Sequence, residues 1–495
     1  MAEQYKNFIG GMWVHARSGM RFENRNPANW SEVIGTFPNS SPEDVDEAVK
    51  SAREGFLAWR KVPVPRRGEI LKKVGDIMAE RKEELAEGMT REMGKILDET
   101  RGDVQEGIDT AYYSAGEGRR LFGRTVPSEL PDKFAMSVRR PVGVAAVVTP
   151  WNFPMAIPTW KIFPALLCGN AVVFKPASDT PLTATNLVEI LLEAGVEAKA
   201  LNLVHGSGSG VGLPLINHPG VDLISFTGST AVGREISRIG GGGLKRVSLE
   251  LGGKNAQVVL SDADLDLALE GVLWGAFGTA GQRCTATSRL ILQKGIHDRF
   301  LDRLVKRAEG LKLGSGLDPA VNMGPLINEG QRNIVHDYVE IGKKEGARLV
   351  TGGSPADKGK LASGWFYKPT IFADVTRDMR IAREEIFGPV LSVLEVKDFE
   401  EAVDVLNDTA YGLSSSIYTR DINAAFRAIE GFEAGITYIN GPTIGAEAHL
   451  PFGGVKETGN GHREGGWTVY EFFSEIKTVY VDYSGKLQRA QIDNR

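Results

Sequence analysis

Between residues 142 and 311 the chain alternates short apolar runs with amphipathic stretches, and this rhythm decides the fold class. Residues 143–149 (GVAAVVT), 170–174 (NAVVF), 201–204 and 223–226 read as buried strands: apolar through their length and bounded by turn residues. Residues 186–194 and 231–239 carry helical spacing, the second closed by the glycines at 240–243. The pattern resumes after Glu250 with a strand at 256–260, a helix at Leu265–Phe277, a strand at 287–292 and an amphipathic helix at 297–311. Strands apolar on both faces, separated by helices, predict parallel sheets covered on both sides. Two α/β domains in series follow, joined near 249–253. Upstream, the first ~120 residues read as helix-rich. Ser41-Pro42-Glu43-Asp44 supplies an N-cap, a proline for the first turn and acids for the positive end of the dipole. Val45, Ala48, Val49, Ala52 and Phe56 then follow at helical spacing, and a second helix opens near Arg67 with Ile70, Leu71, Val74, Ile77 and Met78. There is no internal repeat and no low-complexity tract.

Composition narrows the function. A chain of 495 residues, 42% hydrophobic and 24% charged, holds two to four globular domains. The net charge is −5, with acids and bases interspersed and no basic stripe, which argues against a nucleic-acid partner. No apolar run approaches the ~18–20 residues of a membrane helix. Residues 1–19 carry Glu3, Lys6 and His15 and lack the continuous apolar core of a signal peptide, so a cytoplasmic location is expected. The only cysteines are Cys168 and Cys284, too few for a disulfide framework or a thiolate cluster, and no metal is expected.

Four segments offer chemistry. Cys284 ends Gly281-Gln282-Arg283-Cys284, after a helix and beside a cation that would favour its thiolate. A lone cysteine is more often a small buried hydrophobe, and Cys168 in Leu166-Leu167-Cys168-Gly169 fits that description. Glu250 opens Glu250-Leu251-Gly252-Gly253-Lys254, a strand end entering a glycine turn where a carboxylate faces a cleft. Thr149-Pro150-Trp151-Asn152-Phe153-Pro154 follows a strand directly, and Asn152 brings an amide N–H of the kind an oxyanion needs; a stapled proline turn is the plain alternative. In Phe226-Thr227-Gly228-Ser229-Thr230-Ala231-Val232-Gly233 a strand runs through small residues into a helix, whose free N–H groups suit phosphate or are simply capped by Ser229. The GxGxxG spacing is absent there and in Gly206-Ser207-Gly208-Ser209-Gly210, so no dinucleotide fingerprint exists. In Phe174-Lys175-Pro176-Ala177-Ser178, Lys175 follows a strand and either reaches a ribose or phosphate or is solvated like most lysines.

The ordered set TPWNFP, FKPAS, FTGST, LELGGKN, GQRC, EEIFGPV and PFGGVKETG resembles the aldehyde dehydrogenase superfamily over nearly the whole chain. The resemblance implies an α/β fold of two Rossmann-like parallel-sheet domains plus a small β oligomerisation arm. It divides the chain into a cofactor-binding domain (1–122 and 141–250), a catalytic domain (251–467) and an oligomerisation element (123–140 and 468–495), assembled as a homodimer or homotetramer. It implies that Cys284 is the nucleophile, Glu250 the general base and Asn152 the oxyanion donor, helped by the Cys284 N–H. The cofactor, NAD or NADP, would meet Pro150, Trp151, Lys175, Ser178, Thr227, Gly228, Ser229, Gly233, Leu251, Glu385 and Phe387. Phe153, Arg283, Thr285 and Phe452 would line the pocket for a small-molecule aldehyde, oxidised to its acid through a thioester that Glu-activated water hydrolyses. One position departs: many NAD-preferring relatives carry a glutamate where this chain has Ser178, so NADP is expected to be favoured, with neighbouring Asp179 as the residue able to restore repulsion of a 2′-phosphate. Other readings are a non-phosphorylating glyceraldehyde-3-phosphate dehydrogenase or semialdehyde dehydrogenase, with Arg283 gripping an anion or else turned into the structure; a CoA-acylating enzyme; and an inactive scaffold with a binding role.

Overall fold

The computed structural model describes residues 2–493; Met1 and residues 494–495, the outermost ends of the expected division, lie outside the described residues. Two seven-stranded sheets organise the molecule. In the first, the strands Arg246–Glu250, Leu223–Thr227, Val144–Val148, Ala171–Lys175 and Leu201–Leu203 lie side by side in that order, all parallel. The chain enters at Val144–Val148, winds outward to Leu201–Leu203, then returns to place Leu223–Thr227 on the other side. The strand order therefore reverses between Val144–Val148 and Leu223–Thr227, the kind of switch point where open α/β sheets hold ligands beyond the strand ends. The second sheet takes Thr370–Ala373, Val390–Val396, Thr287–Gln293, Asn255–Val259, Ser414–Tyr418 and Ile436–Ile439 in parallel, with Arg348–Thr351 antiparallel at one edge. Each sheet has its own buried core, and the first takes in Val469, Tyr470, Phe472 and Phe473 from near the C-terminus.

The helix-rich reading of the first ~120 residues fails before Pro42. Residues 3–38 form five strands, Glu3–Gln4, Asn7–Ile9, Met12–Val14, Arg21–Asn26 and Asn29–Pro38. Asn7–Ile9 extends the first sheet antiparallel to Leu201–Leu203, and the Asn7 side chain accepts the His205 N–H at 2.9 Å. Strands of two or three residues show no readable period, and in Arg21–Asn26 three of the six residues, Arg21, Glu23 and Arg25, are charged. From Pro42 onward four helices follow, Pro42–Trp59, Val64–Glu80, Lys82–Met93 and Leu97–Glu117. The first is entered as expected, with the Ser41 N–H bonded to the Asp44 carboxylate at 2.9 Å.

Three helix limits also differ; the amphipathic helix at 297–311 ends at Glu309. The helix at 186–194 begins at Pro181, because the buried Glu92 carboxylate accepts the Leu182 and Thr183 N–H groups at 2.6 and 2.9 Å and so caps it from a distant helix. The helix at 231–239 runs through its glycines to Gly242. Gly240 does not stop it; a side chain there would collide with Val247 and hold the helix off the strand Arg246–Glu250. Finally, Ser474–Asp482, Lys133–Pro141 and Arg124–Pro127 pair antiparallel as a three-stranded sheet, leaving Phe134, Ile476 and Tyr480 exposed.

Candidate active site

The switch point between Val144–Val148 and Leu223–Thr227 opens into a cavity of about 270 Å³ lined by Pro150, Trp151, Asn152, Thr227, Gly228, Ser229, Leu251, Glu385, Phe387 and Cys284. Its walls come from segments far apart in sequence, and hydrogen bonds lock them together. Gly253 donates its N–H to Glu385 Oε1 at 3.0 Å, and a Cβ on Gly252 would lie 2.5 Å from Glu385 Oε2, so glycine is required for that carboxylate to come so close. Asn255 donates from Nδ2 to the Cys284 and Ala286 carbonyls at 2.7 and 2.9 Å. Phe387 has φ +56° and meets Trp151 edge to face at 5.4 Å, while Gln331 donates to its carbonyl at 2.9 Å. At the turn after Thr227, Ser229 caps the helix Thr230–Gly242, its hydroxyl facing the Val232 N–H at 3.5 Å.

Cys284 is delivered by an unusual turn. After the helix Leu265–Phe277, Thr279, Ala280 and Gly281 all take left-handed φ values of +54°, +53° and +70°. For the two non-glycine residues that conformation costs about 1–2 kcal/mol each. Specific bonds offset it: Thr279 N–H to Glu99 Oε1 at 2.6 Å, Gln282 N–H to the Thr279 carbonyl at 3.0 Å, and Ile327 N–H to Gln282 Oε1 at 3.0 Å. The turn leaves Cys284 half-buried. Burial and the carboxylates of Glu385 and Glu250 push its pKa up to about 12, although the N–H groups of Thr285 and Cys284 itself pull the other way. The resting sulfur is therefore a thiol, and it would have to lose a proton to become a nucleophile.

Glu250 ends the strand Arg246–Glu250, and neither of its buried oxygens finds a partner. Burial, then the neighbouring Glu464 carboxylate, raise its pKa well above the carboxylate range; Lys161 and Arg463 oppose them. Lys161 and Glu464 form a buried ion pair at 2.6 Å. Asn152 is also buried, and its Oδ1 has no partner. A buried polar atom left unpaired costs about 1–3 kcal/mol, and such atoms concentrate where a ligand completes them.

On the far side of Cys284 lies a small chamber of about 70 Å³, walled by Phe153, Ile157, Trp160, Thr227, Glu250, Leu251, Thr285 and Phe452 among others. Phe452 and Trp160 pack at 4.8 Å. The chamber opens into a wide outer funnel of about 540 Å³. Thus one space on each side of the sulfur leads outward, one past glycines and a helix N-terminus, the other past aromatic side chains.

Comparison with known proteins identifies the family. The model of the aldehyde dehydrogenase family fits residues 13–479. The chain belongs to the aldehyde dehydrogenase family. It is 44% identical to an α-ketoglutaric semialdehyde dehydrogenase of Bacillus subtilis (strain 168), over 96% of this chain and 98% of that protein. It is 42% identical to a 2,5-dioxopentanoate dehydrogenase of Saccharolobus solfataricus, over 95% of this chain and 98% of the other. A crystal structure of a putative aldehyde dehydrogenase from Burkholderia cenocepacia superposes with TM-score 0.95 at 37% identity, covering 99% of both chains. A betaine aldehyde dehydrogenase from Staphylococcus aureus, solved in complex with NAD+, superposes with TM-score 0.95 at 35% identity, covering 98% of this chain and 95% of that one. This aldehyde dehydrogenase thus oxidises an aldehyde to the acid, and the glyceraldehyde-3-phosphate, CoA-acylating and inactive-scaffold readings are not favoured. Among the described residues no helix is long and apolar enough to cross a membrane.

Not every expected site residue of the dehydrogenase faces these spaces. Gly233 lies on the helix behind the cavity, where a Cβ would collide with Leu251. Lys175 and Ser178 are outside the cavity: the Lys175 amine donates to the Pro176 carbonyl at 2.8 Å, and the Ser178 hydroxyl donates to the Gly206 carbonyl at 3.0 Å. The expectation that Arg283 favours the Cys284 thiolate is overturned. Its guanidinium turns to the outer funnel, held by Thr279 Oγ1 at 2.9 Å, Glu99 at 3.5 Å and the ring faces of Trp274 and Phe153 at 4.9 and 5.3 Å. Four residues outside the expected site set also shape it: Asn255, Gln282 and Glu99 hold the turn before Cys284, and Gln331 holds Phe387. Asn255 and Gln282 had a signal, their places in LELGGKN and GQRC.

Proposed function

We propose that this dehydrogenase oxidises a short semialdehyde bearing an anionic far end, with Cys284, Glu250 and Asn152 as its catalytic residues. The observation that carries the catalytic assignment is that the Cys284 sulfur borders two cavities, one lined by the Asn152 side chain and the other by the Glu250 carboxyl, whose oxygens have no partner among the described residues. The Cys284 thiol loses its proton to a neighbouring carboxylate and attacks the aldehyde carbon. Asn152 receives the oxyanion; one such donor is worth about 2.7–4 kcal/mol in an enclosed site. The nicotinamide cofactor, when bound, supplies the hydride acceptor. The residues around the cofactor cavity fit it: Ser229 and the helix behind it for phosphate, Glu385 for ribose hydroxyls, Phe387 and Trp151 for the ring. Cys284 is then left in a thioester. Glu250, once ionised, takes a proton from water, and the hydroxide attacks the thioester carbon and releases the acid.

Support for an anionic substrate comes from Arg283 in the funnel, and from relatives that act on α-ketoglutarate semialdehyde by name. The test is Arg283→Met with a semialdehyde acid and a neutral aldehyde of equal length. The expected result is a KM for the acid raised on the order of tenfold or more, as for loss of a charge-assisted bond, with the neutral aldehyde little affected. Equal effects on both would refute the charge role.

NADP is proposed to serve at least as well as NAD. No carboxylate stands at 178, and Asp179 is tied to Asn328 at 2.9 Å with its pKa raised by burial, which weakens it as a repulsive charge. Burial pulls the Lys175 amine down to about 8, so a phosphate nearby would draw it fully protonated. Comparing kcat/KM for the two cofactors checks this; a strong NAD preference would refute it. The division into 1–122 with 141–250, 251–467 and 123–140 with 468–495 is kept, except that Val469–Phe473 is assigned to the first core. The exposed apolar side chains of the three-stranded sheet support its pairing with a second copy, giving a cytoplasmic dimer or tetramer.

A further inference from the structure

The outer funnel and the chamber in front of Cys284 share a collar of five residues: Glu106, Phe153, Arg283, Gly445 and Ala446. Two of them, Glu106 and Arg283, carry side chains able to hydrogen bond. Arg283 spends Nε on Thr279 and one amino nitrogen on Glu99; its Nη1 makes no hydrogen bond among the described residues. Glu106, on the helix Leu97–Glu117, has a buried Oε1 with no partner. A substrate lying with its carbonyl at the sulfur must pass its far end between these two groups.

We propose that Glu106 is a specificity-determining residue of this dehydrogenase, its carboxylic acid O–H donated to the far carboxylate of a short oxo acid while Arg283 supplies the charge. This rests on the semialdehyde reading above and deepens it. Its chemistry follows from the surroundings. Burial, with Asp103 and Asp109 on the same helix, pushes Glu106 up to about 8, against the pull of Lys95 and Arg283. At neutral pH the group is mostly the acid, and an acid donates where a carboxylate repels. The Lys95 charge is largely committed, paired with Asp103 at 2.9 Å in full burial beneath the Phe153 ring. Glu447 and His449 line the same funnel, and Tyr438 is held at about 12 by burial and by the Glu106 and Glu447 charges, above the range tested.

The test reads the ratio of kcat/KM for 5-oxopentanoate to that for pentanal, because the chemical step and its own pH dependence cancel in the ratio. In the wild type the ratio is expected to fall about tenfold from pH 7 to pH 9.5 as Glu106 loses its proton and an anion faces an anion. In Glu106→Gln, which keeps a donor but cannot ionise, the ratio should be flat across that range and within about threefold of the wild-type value at pH 7. In Glu106→Ala it should be about tenfold lower at pH 7, the size of one charge-assisted hydrogen bond. A Glu106→Gln ratio that still falls with pH as in the wild type overturns the proposal while leaving the semialdehyde reading standing. A wild-type ratio near one at pH 7 overturns both.

Discussion

Replacement of Cys284 by alanine should reduce aldehyde oxidation on the order of 10⁶-fold, to the assay floor, the scale of loss when a covalent nucleophile is removed. The measurement is NAD(P)H formation at saturating aldehyde and cofactor. The sulfur lines two solvent-connected spaces, so its removal leaves no sealed void in the core and the fold should persist. Cys168 serves as the internal contrast. It is buried in the first core, its pKa is pushed up to about 12 by desolvation, and its sulfur hydrogen-bonds weakly to the Tyr470 carbonyl. Cys168→Ala is expected to retain turnover. Substantial oxidation by Cys284→Ala would remove the basis for the mechanism.

Replacement of Glu250 by glutamine should separate the two halves of the reaction. Steady-state kcat should fall on the order of 10²–10⁴-fold, the usual worth of a general base. A burst of about one NAD(P)H per active site should nevertheless remain, because Glu385 also faces the thiol and can receive its proton. The pH dependence gives a second check. Glu250 is held as the acid by burial and by Glu464, and it can accept a proton only after losing its own. Wild-type kcat limited by hydrolysis should therefore rise with pH from neutrality upward, and in Glu250→Gln that rise should disappear. A variant with wild-type kcat, or with neither burst nor turnover, would contradict this division of labour.

Much of the architecture could be read from period and length. The strands Val144–Val148 and Leu223–Thr227 are apolar on both faces, and the helix Leu265–Phe277 ends at a glycine, so each declares itself locally. What escaped depends on distant partners. The helix Pro181–Ala194 starts early because Glu92 caps it, and Gly240 continues a helix because Val247 sits against it. The same division runs through the site. Cys284, Glu250 and Asn152 stand in motifs whose residue types carry the chemistry, and the fold brings them to adjoining walls. Adjacency in sequence does not fix the direction of Arg283: after the three left-handed residues, its side chain reaches Glu99 and two aromatic rings at the funnel. Glu106 left no trace in the sequence, since one acid on an exposed-looking helix among Asp98, Asp103 and Asp109 looks like any other.

The most direct measurement is a mass analysis of Glu250→Gln, quenched in acid after a single burst with aldehyde and cofactor and digested to peptides. The sulfur-bearing peptide that contains residue 284 should carry an added acyl group matching the aldehyde used, in roughly one copy per chain that produced reduced cofactor. Reduced cofactor formed with no acyl group on that peptide, or with the label on the peptide containing residue 168, would contradict the covalent route.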